Sequence, residues 1–379
     1  GAEPIGSESR RHRSRLVLIA AAVAALLAAA TVITVLWQGN IAGTPSAARD
    51  ATATLSTTES GATAPSSVVS SSAAPPPTIG QPVPGLPHSA PLADQVMLAS
   101  RAVDGGSNLF QYDAATGALG QQLTTGSPGT QFAVLSPDRG SMIYIQTSAA
   151  GNTLRTAAVD GTGDRALFVT VPADCTGFNR PAWNPIDQTV LALPCVTPAG
   201  VTVHRVLVDG TEQDPISIDF PFVDDLTYSP DGARLAYWAA PQQGADSVIY
   251  TQSAAGGPPS ELYEPVAGAN DADPAYSPDG SKIAFRRLVA DAAGTTTGQL
   301  FVVGTDGSPP IALTDGTSLD QDPSWSPDGT QIAFKSNRTN AAGTRDNQIW
   351  VINTDGTGLR ELAVGSPGTG DGAPAWGHR

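Results

Sequence analysis

The chain repeats one stretch, Pro323–Lys335 with the sequence PSWSPDGTQIAFK, in altered copies along its 379 residues. Close copies are PAYSPDG at 274–280 and LTYSPDG at 226–232, and weaker ones are PAWNP at 181–185, SPDR at 136–139 and PAWG at 374–377. Aligned on the serine position, the copies fall at 136, 184, 229, 277, 326 and 377, so each step is 45 to 51 residues. A self-similar period of about 40–50 residues is typical of repeat architectures.

Each unit is predicted to contain four β-strands. Ser-Pro-Asp-Gly suits a tight turn, because Pro fixes φ at the first central position and Gly ends the turn. Runs rich in β-branched and aromatic residues flank this turn, and an Asp-Gly pair such as Asp355-Gly356 separates two further runs. Four antiparallel strands in a unit of this length are typical of a β-propeller blade, so the predicted fold class is all-β.

The two ends of the repeat region are complementary. Runs at 96–100, 108–112 and 121–124 match the second, third and fourth strands of the other units, whereas 374–376 matches only a first strand. We therefore expect the C-terminal strand to complete the first blade and close a six-bladed propeller over residues 93–379. Closure also removes the open sheet edges that invite aggregation.

The repeated Ser-Pro-Asp-Gly followed by Ile-Ala-Phe, together with the Asp-Gly hairpin after it, resembles the WD-like β-propeller repeats of the TolB family. The resemblance covers residues 93–379 and is strongest in the last three full units. It implies a six-bladed propeller that binds proteins or peptides, often at the central funnel. TolB itself is periplasmic and has an extra N-terminal domain, where this chain has a different N-terminal region, so the particular partners of TolB do not carry over.

The N-terminal region is predicted to anchor the propeller outside the cytoplasm. Residues 1–15 are basic and lack an initiator methionine, and the uncharged run 16–37 is long enough to cross a bilayer as a single helix with its N-terminus in the cytoplasm. A cleaved signal peptide ending near Ser46-Ala47-Ala48 is the alternative. Residues 38–92 are rich in Ala, Ser, Thr and Pro, which predicts a disordered stalk.

The two cysteines indicate the cellular compartment, and the charge balance indicates the class of partner. Cys175 and Cys195 flank the first two strands of the third blade, so an antiparallel pairing brings them within bridging distance, which favours a structural disulfide outside the cytoplasm over the alternative of two free thiols. Residues 1–92 hold five of the 20 basic and four of the 35 acidic residues, which leaves 15 basic and 31 acidic residues, a net charge of −16, in 93–379. This balance disfavours nucleic acid and favours a neutral or basic protein or peptide partner.

The candidate ligand site comes from positions four and six residues before the aligned serine. If the first strand is innermost, these positions ring one mouth of the central channel. The predicted ligand-binding residues are Arg180, Asp225, Asp271, Asp273, Asp320, Asp322 and Asp371. Such carboxylates attract a cation or basic peptide and could hold Ca²⁺, whereas the simpler interpretation is that they cap the local backbone.

Two function classes follow. The first is a non-enzymatic binding or sensing module without a cofactor, which could be the sensor end of a longer receptor such as a bacterial Ser/Thr kinase. The second is a metal-dependent hydrolase or lactonase that uses the carboxylates at the channel mouth. No hydrolase elbow, kinase or phosphate-loop motif is present, the histidines lack ligand-spaced partners, and one aromatic per unit (Trp183, Tyr228, Tyr276, Trp325 and Trp376) indicates packing between blades.

Overall fold

A computed structural model describes residues 82–103, 106–125, 129–148, 151–167, 175–242, 244–290, 295–362 and 370–377. The predicted cytoplasmic segment 1–15, the predicted transmembrane helix 16–37 and residues 38–81 of the predicted stalk lie outside the described residues. Within the described ranges, no helix has the length and apolar character needed to cross a membrane.

The strands form six antiparallel sheets, which are the blades of a propeller. Blade one contains β1 (Val96–Val103), β2 (Gly106–Asp113), β3 (Leu119–Gln122) and the C-terminal β25 (Asp371–Ala375). Blade two contains β4 (Gly129–Leu135), β5 (Ser141–Ser148), β6 (Gly151–Ala158) and β7 (Arg165–Ala166). Blade three contains β8 (Gly177–Phe178), β9 (Ala182–Trp183), β10 (Val190–Thr197), β11 (Gly200–Leu207) and β12 (Glu212–Ile216).

The last three blades follow the same order. Blade four contains β13 (Phe222–Tyr228), β14 (Arg234–Ala240), β15 (Val248–Ser253) and β16 (Ser260–Glu261). Blade five contains β17 (Asn270–Tyr276), β18 (Lys282–Ala290), β19 (Thr296–Gly304) and β20 (Ile311–Ala312). Blade six contains β21 (Asp320–Trp325), β22 (Gln331–Ser336), β23 (Gln348–Asn353) and β24 (Arg360–Glu361).

The C-terminal strand closes the ring as predicted. β25 pairs antiparallel with β1, and Ala375 lies opposite Leu98. The innermost strands contact one another in the circular order β25, β4, β9, β13, β17, β21 and back to β25. The predicted all-β, six-bladed architecture is therefore confirmed.

The hydrophobic core lies between blades rather than within one centre. Among the described residues, six clusters of buried side chains each join two neighbouring blades. The repeated aromatic residues belong to these clusters and are buried (Trp183, Tyr228, Tyr276, Trp325 and Trp376). Each aromatic packs towards the preceding blade, which is the packing role predicted for it.

The repeated turn is built by hydrogen bonds from one serine. In blade six the Ser326 hydroxyl donates to Asp328 Oδ1 at 2.6 Å, and the Gln331 amide donates to the Ser326 hydroxyl oxygen at 3.0 Å. Gly329 adopts a φ of 70°, a left-handed conformation that glycine takes without a steric penalty. The predicted role of Ser-Pro-Asp-Gly as a tight turn is therefore confirmed in this blade.

Residues 82–92, assigned to the disordered stalk on composition, instead lie against blade two in the structure. His88 Nε2 is 2.7 Å from Asp138 Oδ2, and the Ser141 hydroxyl donates to the Pro87 carbonyl at 2.6 Å. Val83 is buried in the cluster between blades two and three. The composition did not indicate this contact, because a segment with only a few apolar residues can still pack against the protein when a neighbouring blade covers those residues.

Blade three is the most irregular blade. Its first strand is split into β8 and β9, and both segments pair with β10. The predicted disulfide is present: Cys175 is bonded to Cys195, with their Cα atoms 5.1 Å apart. Because Cys195 lies in β10 and Cys175 precedes β8, the bond joins the start of this blade to its second strand.

Candidate functional site

A backbone irregularity places one residue of four different blades in an unusual conformation at the central channel. Phe132, Asp225, Asp273 and Asp322 all have φ between 51° and 56°, and the register of the inner strand shifts at each of them. These are the positions four residues before the aligned serine. Such β-bulges redirect a side chain out of its normal alternation.

Arg180 connects opposite sides of the ring. It belongs to blade three, and its Nη2 donates to Asp322 Oδ1 of blade six at 2.8 Å. Since blades three and six face each other in a six-membered ring, this ion pair spans the channel. The guanidinium carbon also lies 4.5 Å from the centroid of the Phe132 ring of blade two, and Arg180 is only 3% exposed.

Two further cations balance the carboxylates on blades five and six. Lys335 Nζ lies 2.9 Å from Asp322 Oδ2, and Arg286 Nε lies 3.1 Å from Asp273 Oδ2. Burial acts to raise the pKa of Asp322, but Lys335 and Arg180 outweigh burial and hold that pKa below its usual range. Asp322 therefore remains ionised at the centre of the ring.

Blade four supplies the accessible carboxylates of the site. Asp225 Oδ2 accepts a hydrogen bond from Trp238 Nε1 at 3.0 Å, and Asp224 Oδ2 accepts one from Asn179 Nδ2 at 2.7 Å. Both aspartates are partly exposed, whereas Asp322 is buried. Burial raises the pKa of Asp224 to about 7, and burial together with the Asp224 carboxylate raises the pKa of Asp225 well above its ordinary value.

The structure brings together four of the seven predicted residues: Arg180, Asp225, Asp273 and Asp322. Burial acts to lower the pKa of Arg180, but the three carboxylates outweigh burial and raise it. Asp224, Arg286 and Lys335 complete the group but were not predicted. Asp224 could have been noticed because it precedes a predicted residue, whereas Arg286 and Lys335 become relevant only through the pairing of β18 and β22 with the inner strands.

The other three predicted residues form separate buried ion pairs within their own blades. Asp271 Oδ1 and Oδ2 accept hydrogen bonds from Arg287 Nε and Nη2, each at 2.7 Å. Asp320 pairs with Arg338, and Asp371 Oδ1 lies 3.4 Å from Arg101 Nε. These carboxylates are buried and engaged by the chain itself, so they do not join the group around Arg180. Ligand binding by the predicted set stays a prediction.

A second group of side chains lies in blade three and was missed from the sequence. Sulfur atoms of Cys175 and Cys195 and a ring nitrogen of His204 lie within 4.8 Å of one another. In the ranges that the structure describes, this is the group of His, Cys, Asp and Glu side chains whose spacing suits one metal ion. The register explains the proximity, because Cys195 lies opposite Thr202 and His204 follows two residues later on the same face.

Comparisons with known proteins agree with this architecture. A family model described as the TolB beta propeller domain matches residues 201–376. TolB from Acinetobacter baumannii has a TM-score of 0.62 and 17% identity, covering 75% of this chain and 66% of that protein. A putative TolB from Agrobacterium tumefaciens has a TM-score of 0.55 and 20% identity, covering 70% of this chain and 88% of the other.

An enzyme shares the fold as well. An oligogalacturonate lyase in complex with manganese has a TM-score of 0.50 and 18% identity, covering 71% of this chain and 74% of the lyase. No curated protein sequence matches this chain. At these sequence identities the structural similarity establishes the fold alone. The family match shows in addition that the repeats in residues 201–376 are of the TolB type. The chain therefore contains a TolB-like β-propeller.

Proposed function

We propose that this chain is a non-enzymatic protein-interaction module that presents its propeller outside the cytoplasm. The observation that carries the proposal is the TolB-like ring in which the buried Arg180 of blade three pairs across the channel with Asp322 of blade six. The Arg180–Asp322 pair crosses the channel, and the buried Asp273 is engaged by Arg286 of the chain itself. The surfaces left for recognition are the faces of the ring, which suit a macromolecular partner.

The proposed partner is neutral or basic. The propeller region carries 31 acidic and 15 basic residues. Several turn aspartates, including exposed Asp306 and Asp355, accept hydrogen bonds that lower their pKa, so they stay ionised well below neutral pH. A surface of one dominant sign steers an oppositely charged partner and accelerates its association.

We place the docking site over the channel mouth at Asp224 and Asp225. Both are partly exposed, and the channel group around them pairs each of its other carboxylates with a cation. A Lys or Arg of the partner would add positive charge beside Asp224 and Asp225. Ionisation of both carboxylates would then become favourable in the complex, because an opposite charge nearby favours the charged form.

Photo-crosslinking in the native cell envelope tests this function. A crosslinking amino acid at Gln321, beside the mouth, should capture one defined protein, whereas the same amino acid at Ser308 on the outer turn of blade five serves as the control. The captured protein, purified, should bind the full chain directly. Failure of every captured protein to bind in purified form would overturn the function, whereas capture from Ser308 alone would overturn only the mouth location.

The metal-dependent hydrolase or lactonase is the competing proposal. The fold of the manganese-bound oligogalacturonate lyase shows that such a ring is compatible with an enzyme. An oxygen-only metal site would need carboxylates that are open to the ion, yet Arg286 and Lys335 already engage Asp273 and Asp322. A rise in melting temperature with Mn²⁺ or Ca²⁺ that is lost in Asp225→Asn would favour the enzyme.

We also propose that residues 16–37 hold the chain in the membrane and that the propeller is the sensor end of a receptor, with a Ser/Thr kinase as the specific hypothesis. The Cys175–Cys195 disulfide supports an oxidising compartment. The mass of the endogenous protein and protease accessibility in intact cells test both parts. A propeller that stays protected from added protease after the layers of the cell envelope outside the membrane have been permeabilised would contradict the proposed location.

A further inference from the structure

Blade three holds three potential metal ligands that the partner-binding proposal does not use. Cys175 precedes β8, Cys195 lies in the middle of β10, and His204 lies in β11, which pairs with β10. Cys195 and His204 are buried, whereas Cys175 is half-buried. Two sulfurs and one imidazole within 4.8 Å of one another form a typical partial ligand set for zinc.

The histidine is already oriented as a metal-binding histidine would be. His204 Nδ1 lies 2.6 Å from Glu212 Oε1, a distance at which this carboxylate accepts a hydrogen bond in the tautomer that carries its proton on Nδ1. The tautomer leaves Nε2 as an acceptor, and Nε2 lies 3.0 Å from the Thr202 hydroxyl. A carboxylate behind the distal nitrogen is the arrangement that fixes and strengthens histidine ligands in metal sites.

We propose that reduction of the Cys175–Cys195 disulfide converts this part of blade three into a zinc site, with Cys175 Sγ, Cys195 Sγ and His204 Nε2 as ligands. Zinc takes sulfur ligands at about 2.3 Å and nitrogen ligands at about 2.0 Å, so the two sulfurs separate once their bond is broken and turn with the imidazole towards one ion. The Thr202 hydroxyl turns away from Nε2 when the metal takes that lone pair. A fourth position stays open to water.

A dithiol supplies the two electrons and two protons that reduction of the disulfide requires. One thiolate of the dithiol attacks the half-buried Cys175 sulfur, breaks its bond to Cys195 and releases the Cys195 thiolate. The second thiol then displaces Cys175, so the dithiol becomes a disulfide and two electrons and two protons pass to the protein. Zinc binding releases both thiol protons, because thiolates are the ligands.

Metal titration of the full chain tests the site. The protein is reduced with a phosphine under native conditions and titrated anaerobically with Co²⁺, followed by Zn²⁺ competition. The reduced wild-type protein should bind one equivalent with thiolate-to-cobalt absorbance, and the oxidised protein should show none. Glu212→Gln should weaken zinc binding 10–100-fold by loss of the histidine's carboxylate partner, whereas the control Glu264→Gln on blade four should leave it unchanged.

A redox measurement keeps the proposal falsifiable if the reduced variants fold poorly. In a dithiol buffer, Zn²⁺ should shift the wild-type equilibrium towards the dithiol form at least 100-fold, or about 59 mV for this two-electron couple. His204→Asn should abolish the shift. A reduced, folded wild-type protein that binds no Co²⁺, or an equilibrium that Zn²⁺ moves equally in wild type and His204→Asn, would overturn the proposal.

Discussion

Replacing Arg180 with Met should destabilise the propeller by about 3 kcal/mol, because breaking one side of a buried ion pair typically costs about 3–5 kcal/mol. Met keeps much of the side-chain volume and the contact with Phe132, but it removes the cation that crosses the channel. We place the effect at the lower end of the range because Asp322 keeps Lys335 at 2.9 Å. Urea unfolding of the full chain, monitored by tryptophan fluorescence, measures the loss as a lower midpoint.

Two further variants separate charge from packing. Arg155→Met removes a more exposed ion pair with Asp164, so it should cost no more than about 1 kcal/mol. Arg180→Met combined with Asp322→Asn removes both sides of the cross-channel pair but leaves Lys335 without its carboxylate, so this double variant should be no more stable than Arg180→Met, and comparison with Asp322→Asn alone gives the pair energy. Our reasoning would be refuted by an Arg180→Met midpoint equal to that of Arg155→Met.

Three other perturbations test separate parts of the structure. Deletion of 371–379 should expose the edge of β1 and produce soluble aggregates in size-exclusion chromatography, and a stable monomer would contradict ring closure by β25. Burial raises the pKa of Asp224 to about 7 and of Asp371 to about 6, so the folded chain retains protons that an unfolded Asp releases near pH 3.9. The stabilisation that these two protonated groups provide should therefore be lost as pH rises from 4 to 7, which lowers the melting temperature over this range. The Asp224→Asn, Asp371→Asn double variant should show a flatter dependence of melting temperature on pH, and a dependence identical to that of the wild type would rule out this linkage. In Gly140→Val the new Cβ would collide with the His88 ring, so this variant should displace His88 and make residues 82–92 sensitive to protease. The control Gly177→Val places its Cβ in open space and should leave the protease sensitivity unchanged.

The repeat signature predicted the fold because its residues act locally. Pro and Gly in Ser-Pro-Asp-Gly dictate a turn regardless of the rest of the chain, and one turn every 45 to 51 residues is enough to count blades. The complementary ends of the repeat region likewise predicted that β25 pairs with β1. The disulfide followed from the antiparallel pairing of the same blade.

The candidate site could be predicted only in part because its chemistry depends on the cross-strand register. Asp271 and Asp273 look equivalent in the sequence, but a bulge between β17 and β18 sends Asp273 to the channel group and leaves Asp271 on Arg287. Arg180 was predicted to lie at the same channel mouth as the acidic residues, but its pairing across the ring with Asp322 is visible only in the three-dimensional structure. The proximity of His204 to Cys195 likewise requires the β10–β11 register.

The most direct test of the proposed function is the affinity of the purified partner, identified by crosslinking, for the full chain at low and high salt. We predict saturable binding that weakens as salt rises and is at least tenfold weaker in the Asp224→Asn, Asp225→Asn variant, with Asp306→Asn within twofold of wild type. Salt-independent binding that is equal in all these proteins would contradict docking at the channel mouth. Absence of binding by the folded wild-type chain would contradict the interaction module itself.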